Sequence, residues 1–146
     1  MKYVKVRFEL EILEDGFPPV GVETLNGQLI DNDLVKLDNT PFFATGVAVG
    51  DLLNCSKTKI ESIYQFETLV SSSGYKSISI IFVDDSCKES IYQHLKACGC
   101  YCEYGEFDGF NMLAVSAGKD LDYNGILSYL NEYEDSGRIS YAELCV

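Results

Sequence analysis

Between Asn39 and Cys55 the chain reads Asn39-Thr-Pro-Phe-Phe-Ala-Thr-Gly-Val-Ala-Val-Gly-Asp-Leu-Leu-Asn-Cys55, an order of residues that restricts the backbone at almost every step. Pro41 fixes its own φ, lacks an N–H and pushes the preceding residue out of the helical region, so the segment enters as a turn. Phe42 and Phe43 place two large rings side by side. Gly46 and Gly50 mark unusual torsions or a close backbone approach, and Gly50-Asp51 ahead of Leu52-Leu53 reads as a tight turn feeding a strand. The stretch carries no nucleophile–base pair and no ligand set. It is a folding device, on which the rest of the chain is hinged as two units.

Before it, Tyr3 to Leu13 alternates, with Val4, Val6, Phe8, Leu10 and Ile12 on one face and Lys5, Arg7, Glu9 and Glu11 on the other, the pattern of a half-buried strand. Asp15-Gly16 and Pro18-Pro19 end it. From Val20 short strand-like runs follow, broken at Asn26-Gly27, the clearest hairpin signal, and at Asp31-Asn32-Asp33. Leu34 to Leu37 and Val47 to Cys55 read as strands. So does Ile60 to Val70, where Ile63, Phe66 and Leu69 break alternation and imply a bulge. Strands this short and this regularly broken predict a small, partly closed β-barrel over residues 1–73.

Ser71-Ser-Ser-Gly74 is a polar connector, and residues 74–146 follow a different pattern. Ile78 to Val83 is a nearly continuous apolar run, as in a central strand covered on both faces. Ser86-Cys-Lys-Glu89 reads as a capping box opening a helix with Cys87, Ile91, Leu95 and Cys98 as its buried stripe and Gly99 at its end. Tyr101 to Phe107 and Phe110 to Ala117 flank Asp108-Gly109, a type I′ turn by residue choice. Asp120 or Asp122 caps a second helix with Ile126, Leu127, Leu130 and Tyr133 on its core side, ended at Gly137. Ile139 to Cys145 is the last strand. The order βαββαβ is that of the ferredoxin-like split βαβ unit, so the expected class is α+β: a small N-terminal β-barrel-like unit packed on a C-terminal ferredoxin-like unit.

Charge limits the partners. Eleven Lys and Arg against 23 Asp and Glu give a net charge of −12, which repels nucleic acid and anionic membrane and attracts a basic protein. Nine acids but only two bases lie between Tyr101 and Val146. No apolar run has the length of a membrane span and no apolar leader opens the sequence, so a cytoplasmic location is expected, with the six cysteines reduced.

The alternating first strand, Pro18-Pro19, Asn39-Thr-Pro-Phe-Phe-Ala with Gly46 and Gly50-Asp51, and Ser73-Gly74 ahead of a strand together resemble a bacterial family, domain of unknown function 4265, over nearly the whole chain. The shared motifs are structural and carry over no catalytic residue; the chain departs from the pattern in lacking tryptophan and in its cysteine cluster. A small acidic protein of this kind also looks like the immunity proteins that bacteria encode beside secreted toxins.

Three constellations carry chemical possibilities. His94, Cys98, Cys100 and Cys102 are soft ligands, but Cys98 belongs to the buried stripe and Cys-x-Cys-x-Cys lacks the knuckle spacing of structural zinc, so no metal or other cofactor is expected. A Cys–His nucleophile needs a third group to orient the imidazole, and none lies at helical spacing from His94. The acids remain. Glu103, Glu106, Asp108, Asp120, Asp122, Glu132, Glu134 and Asp135, with Phe110 as an aromatic anchor, are the expected partner-binding residues, facing a basic cognate toxin such as a nuclease without catalysis. Tyr104, Phe107, Tyr123, Tyr129 and Tyr133 are further candidate anchors. The other reading is a small-molecule or metal-responsive regulatory domain that uses the sheet face of the second unit.

Overall fold

The computed structural model describes residues 2–146. Five strands, β1 (Lys2–Glu9), β2 (Val22–Asp31), β3 (Leu34–Leu37), β4 (Leu52–Lys57) and β5 (Ile63–Ser71), form a closed barrel in chain order. Successive strands pair antiparallel, and parallel pairing of Lys5–Arg7 with Ile63–Gln65 completes the ring. Val4, Val6 and Phe8 point inward to meet Leu25, Val35, Leu37, Leu53, Cys55 and Tyr64. The first strand stops at Glu9, four residues short of expectation, because Leu10 and Leu13 turn their N–H groups to the carbonyls of Gly21 and Phe17 in a loop.

Asn26-Gly27 is not a turn. It lies inside the ten-residue β2, paired with Lys5 and Val4 of β1. A Cβ on Gly27 would stand 2.5 Å from Val35 Cγ1 and 3.2 Å from the Lys36 carbonyl oxygen, so the glycine is there to let β3 come close. The turn falls at the second break, Asp31 to Leu34. The strand expected from Val47 begins only at Leu52, since Ala48 to Asp51 is the tight turn, with Asp51 N–H on the Ala48 carbonyl and Gly50 at φ +85°. The β4–β5 ladder slips register at two places, the irregularity that broken alternation foretold.

The remaining elements are β6 (Lys76–Phe82), α1 (Lys88–Ala97), β7 (Tyr101–Phe107), β8 (Phe110–Ala117), α2 (Tyr123–Asp135) and β9 (Ile139–Cys145). Their four strands form one sheet ordered β7-β8-β6-β9, every neighbour antiparallel. Among the described residues the chain is thus a mixed α+β protein of nine strands and two α-helices. Ile91 and Leu95 of α1 and Ile126 and Leu130 of α2 bury against Ile78, Ile80, Leu113 and Val115 on one sheet face, each burial contributing about 1.5–3 kcal/mol.

The capping box does not form. Asp84 accepts from Ser86 N–H, a single 3₁₀ turn over Asp85–Cys87 leads into α1, and Glu89 accepts from Gln93 further along the helix. The other local signals hold. Gly99 at φ +95° ends α1 with Cys100 N–H on the Leu95 carbonyl, Asp122 caps α2 by accepting from Gly125 N–H, and Gly137 ends it at φ +75°. Asp108 and Gly109, at φ +52° and +83°, make the two-residue turn between β7 and β8.

Candidate functional site

The second sheet face packs on the barrel through the Asn39–Asp51 segment. Glu23, only 6% exposed on β2, accepts the N–H groups of Phe42 at 2.7 Å, Phe43 at 3.1 Å and Ala44 at 2.8 Å. Three donors converging on one buried carboxylate satisfy groups that would otherwise lose water without compensation. The two rings thus fixed meet Phe107, Met112 and Ala114. Buried Thr40 and Ser116 share a hydroxyl hydrogen bond of 2.6 Å. Ser77 donates to the Val47 carbonyl, Gly46 to that of Leu144, and Asp51 accepts from Ser73 N–H. Neither the role of Glu23 nor these crossings has a local sequence signal.

Beside this joint lies a cleft of about 770 Å³ between the end of β1, the loop after it, and β6 and β9. Its walls include Phe8, Leu10, Phe17, Phe43 and Phe66, and Ser79 and Ile81 of β6 lie across from them. Ser79 is paired across the sheet with Ala114 on one side and Ala142 on the other, two small residues that leave room over it. It is 5% exposed and its Oγ has no hydrogen-bond partner. Exposed Glu9, Glu11 and Asp15 also line the cleft, and among the described residues no Lys or Arg does.

The acids expected to face one partner are divided between the two ends of the sheet. The turn at Asp108 and the C-terminal end of α2, with Glu134 and Asp135, lie at the sheet end where Phe82 meets Ile139. Asp120 and Asp122 lie past Ala117, at the end where Lys76 starts β6. The eight residues of β8 separate the two groups, roughly 25 Å at 3.3 Å per residue. Glu103 shares a face with Ala114, toward the barrel, while Glu106 shares one with Asn111 on the other side. Asp122 is occupied as a cap, and Glu134 accepts from Tyr141 N–H at 3.0 Å. Glu132 is exposed on α2.

One edge of the sheet does gather four of the nine. Among the described residues the terminal strand β7 pairs only with β8 and carries Glu103 and Glu106; the turn after it adds Asp108, and Phe110 opens β8. Every residue of β7 is at least partly exposed, Tyr101 at 58%, and Phe110 at the start of β8 is 51% exposed. Tyr104 stacks on Tyr92 of α1 at 4.8 Å, with Lys88 and Lys96 over the two rings. At the same end as the turn, hydrogen bonds from Ser86, helped by the Arg138 guanidinium at 3.6 Å, hold the Asp84 carboxyl below its usual range.

The tyrosines of α2 are engaged by neighbouring side chains. His94 lies flat on Tyr129 at 3.7 Å, Tyr129 meets Tyr133 edge-on, and Arg138 covers Tyr133. Tyr123 donates to Glu143 at 2.7 Å, and burial pushes its hydroxyl pKa up. All six cysteines are free thiols. Burial pushes Cys55 and Cys100 up to about 11 and Cys102 up to about 12, which leaves little thiolate at neutral pH. Among the described residues no three His, Cys, Asp or Glu side chains are placed to hold a metal ion, and no helix is long and apolar enough to cross a membrane.

A family profile described as a domain of unknown function, DUF4265, matches residues 23–141. The chain belongs to this family. The DUF4265 match takes in Glu23, the joint and the whole β7–β8 edge, while Glu9, Glu11 and Asp15 precede it. A solved structure of a hypothetical protein from Neisseria gonorrhoeae is similar to this DUF4265 chain with a TM-score of 0.75 and 20% identity, over 98% of this chain and 93% of that one. That likeness is one of fold. Comparison with curated proteins gives no match.

Proposed function

We propose that this chain is a non-catalytic, cytoplasmic binding protein that neutralises a basic bacterial toxin domain, such as a nuclease, by covering its active site. The observation that supports the reading is the β7 edge: a strand whose outer side pairs with no other strand among the described residues, with exposed Tyr101 on it, Phe110 just past its turn, and Glu103, Glu106 and Asp108 between them. Edge strands accept a partner's backbone, aromatic side chains supply most of an interface's hot spots, and carboxylates steer a basic surface into place. A nuclease site is basic because it holds phosphates, which makes an acidic edge its complement. We read the unit carrying that edge as ferredoxin-like, since the element order βαββαβ and the strand order β7-β8-β6-β9 match that plan.

The test is co-purification of the tagged protein with the product of the neighbouring upstream gene, followed by association kinetics at low and high salt. Association should slow as salt rises. Phe110→Ala should weaken the complex at least tenfold, and Glu106→Lys with Asp108→Lys should slow its formation, each of the order expected of interface hot spots and steering charges. No complex, or one indifferent to both variants, would sink the reading.

A further inference from the structure

The cleft between the barrel and the sheet has the attributes of a small-molecule site, and they are independent of the β7 edge. A volume of about 770 Å³ falls in the range of ligand pockets, which are largely apolar with a few placed polar groups. Phenylalanine rings from three parts of the chain line it: Phe8 from β1, Phe43 from the joint and Phe66 from β5. Phe17 closes on Phe43 edge-on at 5.8 Å. These walls favour flat apolar groups, since offset and edge-on ring contacts add to area burial.

Two polar features give the cleft a direction. Ser79 is 5% exposed and its Oγ is unpartnered, on the strand that forms the cleft's inner side, where the flanking Ala114 and Ala142 leave space. Buried hydroxyls are nearly always hydrogen-bonded, and one that is not calls for an explanation. Glu9, Glu11 and Asp15 bring negative charge to the cleft from the exposed end of β1 and the loop after it, and among the described residues no Lys or Arg lines it. The carboxylate of Asp15 also accepts from Phe17 N–H at 3.0 Å, which sets that ring in place.

We propose that this cleft binds a small amphiphilic cation: an aromatic or otherwise apolar body with a hydrogen-bonding group at one end, reaching Ser79, and a basic nitrogen at the other, held by Glu9, Glu11 and Asp15. The apolar walls give affinity. Ser79 and the carboxylates fix orientation and select against anions, because a carboxylate in place of the amine would meet three like charges.

A suitable probe is 4-(4-hydroxyphenyl)benzylamine, compared with the analogue bearing methyl for hydroxyl and the one bearing carboxylate for aminomethyl, by titration calorimetry and ligand-observed NMR. The hydroxy amine should bind saturably. The methyl analogue should be about tenfold weaker, the scale of one hydrogen bond in a dry site, and the acid should not bind. Ser79→Ala, a small change of volume, should erase the advantage of the hydroxyl and keep the preference for amine over acid. Glu9→Gln with Glu11→Gln and Asp15→Asn, all at exposed positions, should do the reverse. The Phe110→Ala protein should bind the amine unchanged, so the cleft and the β7 edge stand or fall separately. Equal binding of amine and acid, or no saturable binding of the amine, overturns the proposal; the NMR spectrum of each variant shows whether it is folded.

Discussion

The carboxylate of Glu23 does work that no neighbour in sequence can share. Its three acceptor contacts go to Phe42, Phe43 and Ala44, and without them three backbone donors beside two buried rings lose their partner. Glu23→Ala should therefore cost about 3 kcal/mol or more, since hydrogen bonds to a charged group contribute about 1.5–3 kcal/mol each and orphaned donors add their own penalty. Glu23→Gln, which keeps one acceptor oxygen, should cost less. Urea unfolding of the three proteins measures this. A loss below 0.5 kcal/mol in Glu23→Ala, a size usual for surface substitutions, would mean that water reaches those N–H groups.

At the scale of single elements, the barrel depends on how closely β3 crosses β2. Gly27→Ala puts a methyl within 2.5 Å of Val35 Cγ1 and should destabilise by about 1–3 kcal/mol, as overpacking does. The cost should shrink when Val35→Ala is already present, as a double-mutant cycle would read out; an equal cost in both backgrounds would place the strain elsewhere. The same glycine shows where reading the sequence stops. Asn26-Gly27 has the residues of a hairpin, yet what decides its conformation is Val35, eight residues on and in another strand. Signals whose partners lie within a turn or two were legible: the Asp108-Gly109 turn, the glycines after both helices, the Asp122 cap. A barrel was legible in the short, regularly broken strands, but the pairing that closes it fully was not, because it joins Lys5–Arg7 to Ile63–Gln65. The candidate site divides in the same way. Glu103, Glu106, Asp108 and Phe110 could be named because they are continuous along one hairpin, and Asp120 and Asp122 were added wrongly to the same side because β8 carries the chain to the far end of the sheet. Ser79 was hidden in a run that read as covered on both faces, and only the packing of the barrel leaves an opening over it.

Across the whole molecule the buried and half-buried thiols tie stability to alkaline pH. Burial disfavours the thiolate and pushes buried Cys55 and Cys100 up to about 11 and half-buried Cys102 up to about 12, above the 9.0 of a free thiol. Their folded values are raised, so the neutral thiols contribute fully below pH 9, and that contribution is lost as pH climbs through the folded values. The urea midpoint should be level from pH 7 to about 8.5 and fall from about pH 9 upward, and Cys102→Ala should flatten the fall relative to its own neutral value. A midpoint that stays level to pH 11 would count against these thiols being shielded from water. The joint has a further consequence, for the order in which the chain assembles. The Asn39–Asp51 segment touches Glu23 on one side of it in sequence and Ser77, Ser116 and Leu144 on the other. A barrel that closes before the sheet has formed therefore leaves Phe42 and Phe43 without Phe107 and Met112, exposing two rings to solvent. That half-assembled species is the one most prone to self-association, and long-range contacts of this kind slow the step that would remove it.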